Sequence, residues 1–457
     1  MSLHNISDRT SLLDIQRWLV LPGYVLFFLM LAFPMVVSLL YVKVFLFAVL
    51  LVIVAVRGLT CLRLDLHPKV IMWTWALAVV GLFFGLRGMF LGNPGAVKCV
   101  QVYVMWPLIY VILLGGIDRM QTLQGLEKTL IFSTVFIGLF GAVYSLSQLN
   151  ILSEIPYVDS LVAPDDLGSG IFDGYSRLAF PGLNSLPFLV PFLMAAVVTR
   201  WRQPGKSSIS IMWLWIALFL SLVVALLAGR RALLLVIMLT PLLILILGSF
   251  QPPKERLLVR RSLGRVTLVL VLGVGLAVLL LRPIYAITFE GIADRFSAGF
   301  DFSANTLDDS PADRSQQYIA LVRGWAEYPL IGAGLGASAH GSIRSEIMPW
   351  AYELYYLALL FQMGLLGFLA YTAGIVWIYS SGIGIIKRGG VDSQLLIPIL
   401  VGTSGLLIAN GTNPYLARFD GIWVIFLPLA FINYSLLSRD RAHNPNFGHV
   451  HRLLEQL

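Results

Sequence analysis

Long apolar runs decide what this chain can fold into. Twelve stretches of mostly uncharged residues follow one another, at about 18–40, 42–57, 69–87, 96–115, 129–149, 180–198, 209–228, 232–249, 263–281, 351–379, 394–411 and 420–437. A helix crossing a bilayer needs about 20 such residues, and its backbone polar groups must be satisfied within the segment. The pattern predicts an all-α polytopic membrane protein of about twelve spans, with residues 1–457 forming one integral-membrane domain. Composition agrees, since 58% of residues are hydrophobic and only 12% charged, against about 25% charged in soluble domains. Two cysteines, Cys61 and Cys99, cannot build a disulfide framework. The polar N-terminal stretch runs into the first apolar run without a small-residue cleavage site, so that run is expected to remain as an uncleaved span.

Lys and Arg set the orientation. With a cytoplasmic N-terminus, the inside segments collect 20 of the 32 Lys and Arg, and the outside segments hold 15 of the 24 acids. The stretch "PPKERLLVRRSLGR" alone supplies five of those cations. Both termini are therefore expected in the cytoplasm, with the chain multi-pass. The net charge of +8 reads as a topology signal, and no nucleic-acid partner is expected.

Two outside segments are long enough to do work, at 150–179 and 283–350. Two basic residues stand against the orientation rule. In "LLAGRRALLL", Arg230 and Arg231 sit between spans, in a turn too short to hold a loop. An arginine at the centre of a membrane helix costs about 2.5–3.5 kcal/mol even on lenient scales. Either both snorkel to headgroups, or one faces an anion in a cavity. Adjacent helical residues point about 100° apart, so the two do not face one ligand alike. The short turns near residues 41 and 230 predict antiparallel neighbouring helices.

The second outside segment contains "DDSPADRSQQYIALVRGWAEYP", which predicts a helix with Ser310 as N-cap, Pro311 at its first position and Pro329 past its end. Arg314, Tyr318, Leu321 and Trp325 share one face. Arg314 either pairs with Asp308 or Asp309 or serves a site. The following "PLIGAGLGASAHG" has GxGxG spacing and no surrounding βαβ unit, so a nucleotide fingerprint is rejected. Its glycines fit a tight backbone path over the mouth of the bundle. His340 is either a solvated loop residue or a site residue. Pro349 is expected to open span ten, putting Glu353 in the first turn on one face with Tyr356. There a carboxylate gains about 0.3–1 kcal/mol from the helix dipole, or it belongs to a site. The tail histidines lack ligand spacing, and no metal is expected.

Four stretches together resemble the bacterial O-antigen ligase and O-antigen (capsule) polymerase superfamily. "LLAGRRALLL" is similar to its Ser-Arg-Gly-Ala turn, with Arg230 at the motif arginine. "DRSQQYIALVRGWAEYPLIGAGLG" resembles its loop helix ending in Pro-Leu-hydrophobic-Gly-x-Gly, with Arg314 near the start. "ELYYLALLFQMGLLG" resembles the stretch that in ligases opens His-Asn and closes Gly-Leu-Ile-Gly, which puts Glu353 at the ligase histidine. "RLAFPGLNSLPFLVPF" resembles a segment with an arginine, here Arg177, ahead of a Gly-x-Asn step. Glutamate in place of histidine favours the polymerase branch.

The resemblance implies a GT-C-like multispan glycosyltransferase with a helical periplasmic cap. Its donor would be a glycan on undecaprenyl pyrophosphate and its acceptor a second glycan, beside membrane lipid, with no metal and no cofactor. A flippase and a chain-length regulator are the implied partners. A pyrophosphate leaving group asks for cations, and the fixed fork of arginine suits phosphate oxygens. A charge pair at 4 Å contributes about 4 kcal/mol at an effective dielectric of 20, enough to offset the placement cost. An attacking sugar hydroxyl needs a base, worth about 10²–10⁴-fold. Arg230 and Arg314 are thus expected on the pyrophosphate, Arg177 on pyrophosphate or glycan, and Glu353 as base. Arg231, His340 and Tyr356 are further binding candidates. The alternatives are an O-antigen ligase acting on lipid A-core and a multispan transporter. The lopsided outer segment and the absence of an internal repeat weigh against a transporter.

Overall fold

The computed structural model describes residues 20–61, 64–117, 119–152, 167–172, 175–201, 209–285, 287–297, 310–341 and 345–443. Each apolar run becomes a helix: α1 (Val20–Ala32), α2 (Leu40–Cys61), α3 (Pro68–Phe90), α4 (Ala96–Leu114), α5 (Met120–Gln148), α6 (Leu186–Arg200), α7 (Ile211–Ala228), α8 (Arg231–Gly248), α9 (Pro253–Tyr285), α12 (Tyr355–Ile386), α13 (Val391–Asn410) and α14 (Trp423–His443). Two shorter helices, α10 (Phe289–Ser297) and α11 (Ser310–Glu327), lie between α9 and α12. Ten helices among the described residues are long and apolar enough to cross a membrane. Described only from Val20, α1 is shorter than that measure, and α14 closes on the charged "SRDRAH".

The all-α expectation misses one element. The segment 150–179 carries an antiparallel hairpin of β1 (Gly168–Phe172) and β2 (Tyr175–Ala179), with Gly168 opposite Ala179. Residues 153–166 lie outside the described residues.

Several boundaries move for local reasons. The first two runs turn at 33–36, not near residue 41. Pro34 has no N–H to extend α1, and Met35 takes a left-handed φ of 69°. Inside α4, Gln101–Met105 is a π-helical segment just before Pro107. The wider turn accommodates a residue that cannot donate to the ladder. The basic stretch at 254–265 forms the first turns of the single 33-residue helix α9. Span ten opens at Tyr355 rather than Pro349, and Gly364 breaks it with φ 63° and ψ −172°.

At the centre of the bundle, α6 packs along α13. Almost every residue of α6 is buried, as expected of a helix that is apolar all round. Small residues let the backbones close up: a Cβ on Gly405 would stand 2.5 Å from the Pro187 carbonyl oxygen. Although α7 and α8 share the tight turn at 229–230, α7 lies against α5 and α6 while α8 lies against α6 and α13. The expected side-by-side pair is therefore nearly absent.

Alternation of the helices gives the bundle two ends. One gathers the turn at 33–36, the hairpin, the turn at 229–230, α11 and the loops after α3, α11 and α13. The other gathers the start of α1, the end of α14 and the turns between them.

Candidate functional site

At the loop-bearing end, the glycine-rich segment after α11 threads between helices. Gly332, Gly334 and Gly336 all take left-handed φ, of 61°, 86° and 75°. A Cβ on Gly334 would stand 2.8 Å from Gly88 Cα, and one on Gly336 2.2 Å from Ala96 N. Only glycine admits so close a backbone approach. The loop also repairs the break in α12. Ala333 N–H donates to the Phe361 carbonyl (2.9 Å), while Leu365 and Leu366 N–H donate to the carbonyls of Pro329 and Leu330 (2.9 and 3.1 Å). Asn93 Nδ2 reaches the carbonyls of Ala333, Gly334 and Leu335 at 3.0–3.2 Å. The GxGxG run is thus a clasp that fixes the cap, in keeping with the tight path expected of it.

Above the clasp, α11 presents Arg314, Gln317, Leu321 and Gly324 to α12. Leu321 is fully buried, and a Cβ on Gly324 would lie 2.6 Å from the Phe361 ring. Tyr318, expected on this face, is 56% exposed. Gln317 takes its place, because its Oε1 accepts the N–H of Glu353 at 2.9 Å.

Arg314 Nε donates to Glu353 Oε2 at 2.6 Å. The two side chains are 24% and 20% exposed, so the pair is half open. Glu353 precedes α12, whose N-cap is Leu354, so first-turn placement does not explain this acid. Two points on α11 hold it. Asp308 and Asp309, the expected alternative partners of Arg314, lie outside the described residues. Next door, the Tyr352 hydroxyl accepts Ala339 N–H at 2.5 Å. Burial pushes that phenol's pKa up, opposed by the Ala339 hydrogen bond. The Tyr356 hydroxyl is spent on the Leu407 carbonyl at 2.5 Å, so its contact is to α13.

Arg230 sits in a second cluster. Gly229 caps α7 in the left-handed region (φ 56°), and a Cβ there would stand 2.4 Å from the Ser176 carbonyl oxygen on β2. The chain then extends through Arg230, the N-cap of α8, whose first turn has no acid and no side-chain cap. Arg230 Nη1 donates to Asn184 Oδ1 at 2.7 Å. Asn184 belongs to the short 3₁₀ turn Pro181–Ser185 ahead of α6, and its Nδ2 lies 3.4 Å from Met35 Sδ. Asp420 Oδ2 accepts both Met35 N–H (2.8 Å) and Lys43 Nζ (2.9 Å). This last pair is closed, at 1% and 4% exposure.

Of the expected residues, Arg314 and Glu353 meet directly. Arg230 lies apart with Asn184. The loop 411–422 runs between the two clusters, with Gly411 against the Tyr356 ring and Asp420 against Met35. Arg177 is on the exposed side of β2, where Ser176 and Leu178 face inward. Arg231 opens α8, half buried, and His340 is exposed in a turn. Asn184, Gln317 and the Lys43–Asp420 pair escaped the sequence reading as site residues. A lysine on the acid-rich side of a span was one signal for the pair, and the Gly-x-Asn step was one for Asn184.

Together these groups can accept a proton at one carboxylate and bind phosphate oxygens at two arginines and a helix N-terminus. No protein-family model matches the chain, and no curated protein matches it.

Proposed function

We propose that the protein is a GT-C-like membrane glycosyltransferase that polymerises undecaprenyl-pyrophosphate-linked oligosaccharide units into O-antigen or capsular polysaccharide. Its site is the loop-bearing end, on the outer face of a bacterial inner membrane. The observation that carries this reading is the half-open Arg314–Glu353 pair, presented by a cap helix at the mouth of α12. Lys43–Asp420, by contrast, is closed at 1% and 4% exposure, where no substrate reaches it. A half-open pair leaves an acid and a cation within reach of substrate.

In the reaction, the acceptor hydroxyl oxygen attacks the anomeric carbon of the donor. Its proton passes to the Glu353 carboxylate. The bond from that carbon to the pyrophosphate oxygen breaks, and undecaprenyl pyrophosphate leaves with the electron pair. Arg314 and Arg230 meet its charge. The four sequence stretches support the reading, and glutamate at 353 favours polymerase over ligase.

A glycan gel from a deletion strain separates the two branches. Single repeat units on the lipid anchor are expected, whereas long chains left on the carrier would indicate a ligase. With purified protein and a lipid-linked repeat unit, Glu353→Gln should keep donor binding and lose about 10²–10⁴-fold in turnover. Full turnover in that variant would remove Glu353 from the chemistry.

A further inference from the structure

We infer that Asn184 is the positioning residue that holds the Arg230 guanidinium for a phosphate group while leaving its charge unspent. This deepens the proposed reading and rests on it for the identity of the phosphate, that of a lipid pyrophosphate. The cations of the loop-bearing end have partners that differ in kind, and Arg87 Nε, for one, donates to the Gly332 carbonyl at 3.1 Å within the clasp. Lys43 is spent on Asp420 in a closed pair. Arg314 is shared with Glu353 in a half-open one. Arg230 is held by the neutral amide oxygen of Asn184, and among the described residues no carboxylate pairs with it. An amide oxygen fixes one N–H of the guanidinium and leaves the other donors and the whole charge for a ligand. Arg230 also stands at the N-cap of an 18-residue helix with no acid in its first turn, so the free N–H groups there add to the same field.

The support beneath Asn184 is costly, which argues that its place matters. Met35, whose sulfur touches Asn184, holds a left-handed φ of 69°, a conformation costing a non-glycine residue about 1–3 kcal/mol when strained. It is held there by the buried Asp420, which takes its N–H, and by Lys43, which bonds both Asp420 and the Phe33 carbonyl (2.7 Å). Ser185 ties the same 3₁₀ turn to the Leu31 carbonyl at 2.8 Å. The first inter-helix turn, the turn before α6 and the loop before α14 thus converge on the side chain that aims Arg230.

The test uses the full chain in nanodiscs with two readouts. One is the rate at which phenylglyoxal modifies Arg230, followed by peptide mass spectrometry with Arg314 as internal reference. The other is affinity for undecaprenyl pyrophosphate. Asn184→Ala should speed modification of Arg230 but not of Arg314, and weaken lipid binding by about tenfold, the scale of one hydrogen bond to a charged group. In an Arg230→Ala background it should weaken binding no further. Asn184→Asp keeps an acceptor, so Arg230 should stay protected. Binding should nonetheless fall at least as far, because a carboxylate neutralises the guanidinium and repels phosphate. Unchanged Arg230 reactivity in Asn184→Ala, or wild-type affinity in Asn184→Asp, would overturn the inference. Should the wild-type chain bind no undecaprenyl pyrophosphate, the proposed reaction falls, while the reactivity of Arg230 still decides whether Asn184 positions it.

Discussion

Arg200–Glu127 and Arg314–Glu353 are the same two residue types in opposite circumstances. The first joins α6 to α5 at the terminal end, with both side chains 3% exposed. The second joins α11 to the start of α12 at the loop-bearing end, with the side chains 24% and 20% exposed. The ends differ in what the charges join rather than in closure alone, since Arg57 and Arg441 at the terminal end are themselves 35% and 38% exposed. At the terminal end Asp65 takes Arg57 (3.4 Å) and Arg441 (2.6 Å), and His67 Nε2 meets Asp440 at 3.2 Å. Charge there ties turns together. At the loop-bearing end one pair is closed, one is half open, and one arginine is held by an amide. Charge there is left within reach.

The comparison breaks most sharply on single substitutions. Removing one partner of a closed buried pair leaves an uncompensated charge and costs about 3–5 kcal/mol. Arg200→Ala should therefore fail to accumulate in the membrane, and the paired change Arg200→Met with Glu127→Leu should restore accumulation without restoring any charge. Arg314→Ala should do the reverse, accumulating normally while polymer disappears. Lysine should rescue it poorly for want of the fork. Immunoblots of membrane fractions beside glycan gels read both outcomes. Normal accumulation of Arg200→Ala with loss of Arg314→Ala would invert the assignment of the two ends.

A smaller effect sharpens the contrast within the glycines. Gly334 is left-handed (φ 86°) with Gly88 Cα 2.8 Å from where a Cβ would sit, whereas Gly273 in α9 has open space around it. Gly334→Ala should loosen the clasp by about 1–3 kcal/mol. Gly273→Ala should be neutral or gain up to about 1 kcal/mol from helix propensity. Hydrogen exchange across 328–340 should rise in the first variant only. Equal protection in both would mean that the clasp does not hold the cap.

The helices were legible because apolar length is a one-dimensional signal, and every run became one. What was not legible depends on partners far along the chain. Nothing near Glu353 in sequence announces that Gln317, 36 residues earlier, takes its N–H, so the acid was placed in a helix turn it does not occupy. The Lys43–Asp420 contact spans 377 residues. The turn at Pro34 was masked by the apolar residues on both sides, since hydropathy does not register a missing N–H. The hairpin escaped because a segment read as loop has no periodicity long enough to count. The face of Arg314 is legible at Leu321, but its meeting with Glu353, 39 residues on, is not, because sequence proximity points only to near acids such as Asp308 and Asp309.

The smallest expected effect belongs to His340, the residue on which the two ends are most easily confused. It lies in the same loop as the clasp, yet its side chain is exposed in a turn, and no described contact draws on it. A residue so placed changes stability by about 0.5 kcal/mol or less when replaced. If it took part in proton transfer, its loss would instead cost about 10²-fold or more. His340→Cys, made with Cys61 and Cys99 replaced by serine, should leave polymer length and amount nearly unchanged. The same thiol marks the face on which the cap lies. Under the proposed orientation a membrane-impermeant maleimide added to intact spheroplasts should label His340→Cys and spare Gly389→Cys, which sits at the opposite end between α12 and α13. Labelling of Gly389→Cys alone would put Arg314, Glu353 and Arg230 in the cytoplasm. A donor presented on the outer leaflet could not then reach them, so the proposed reaction would lose its site even if every contact at that end stood as described.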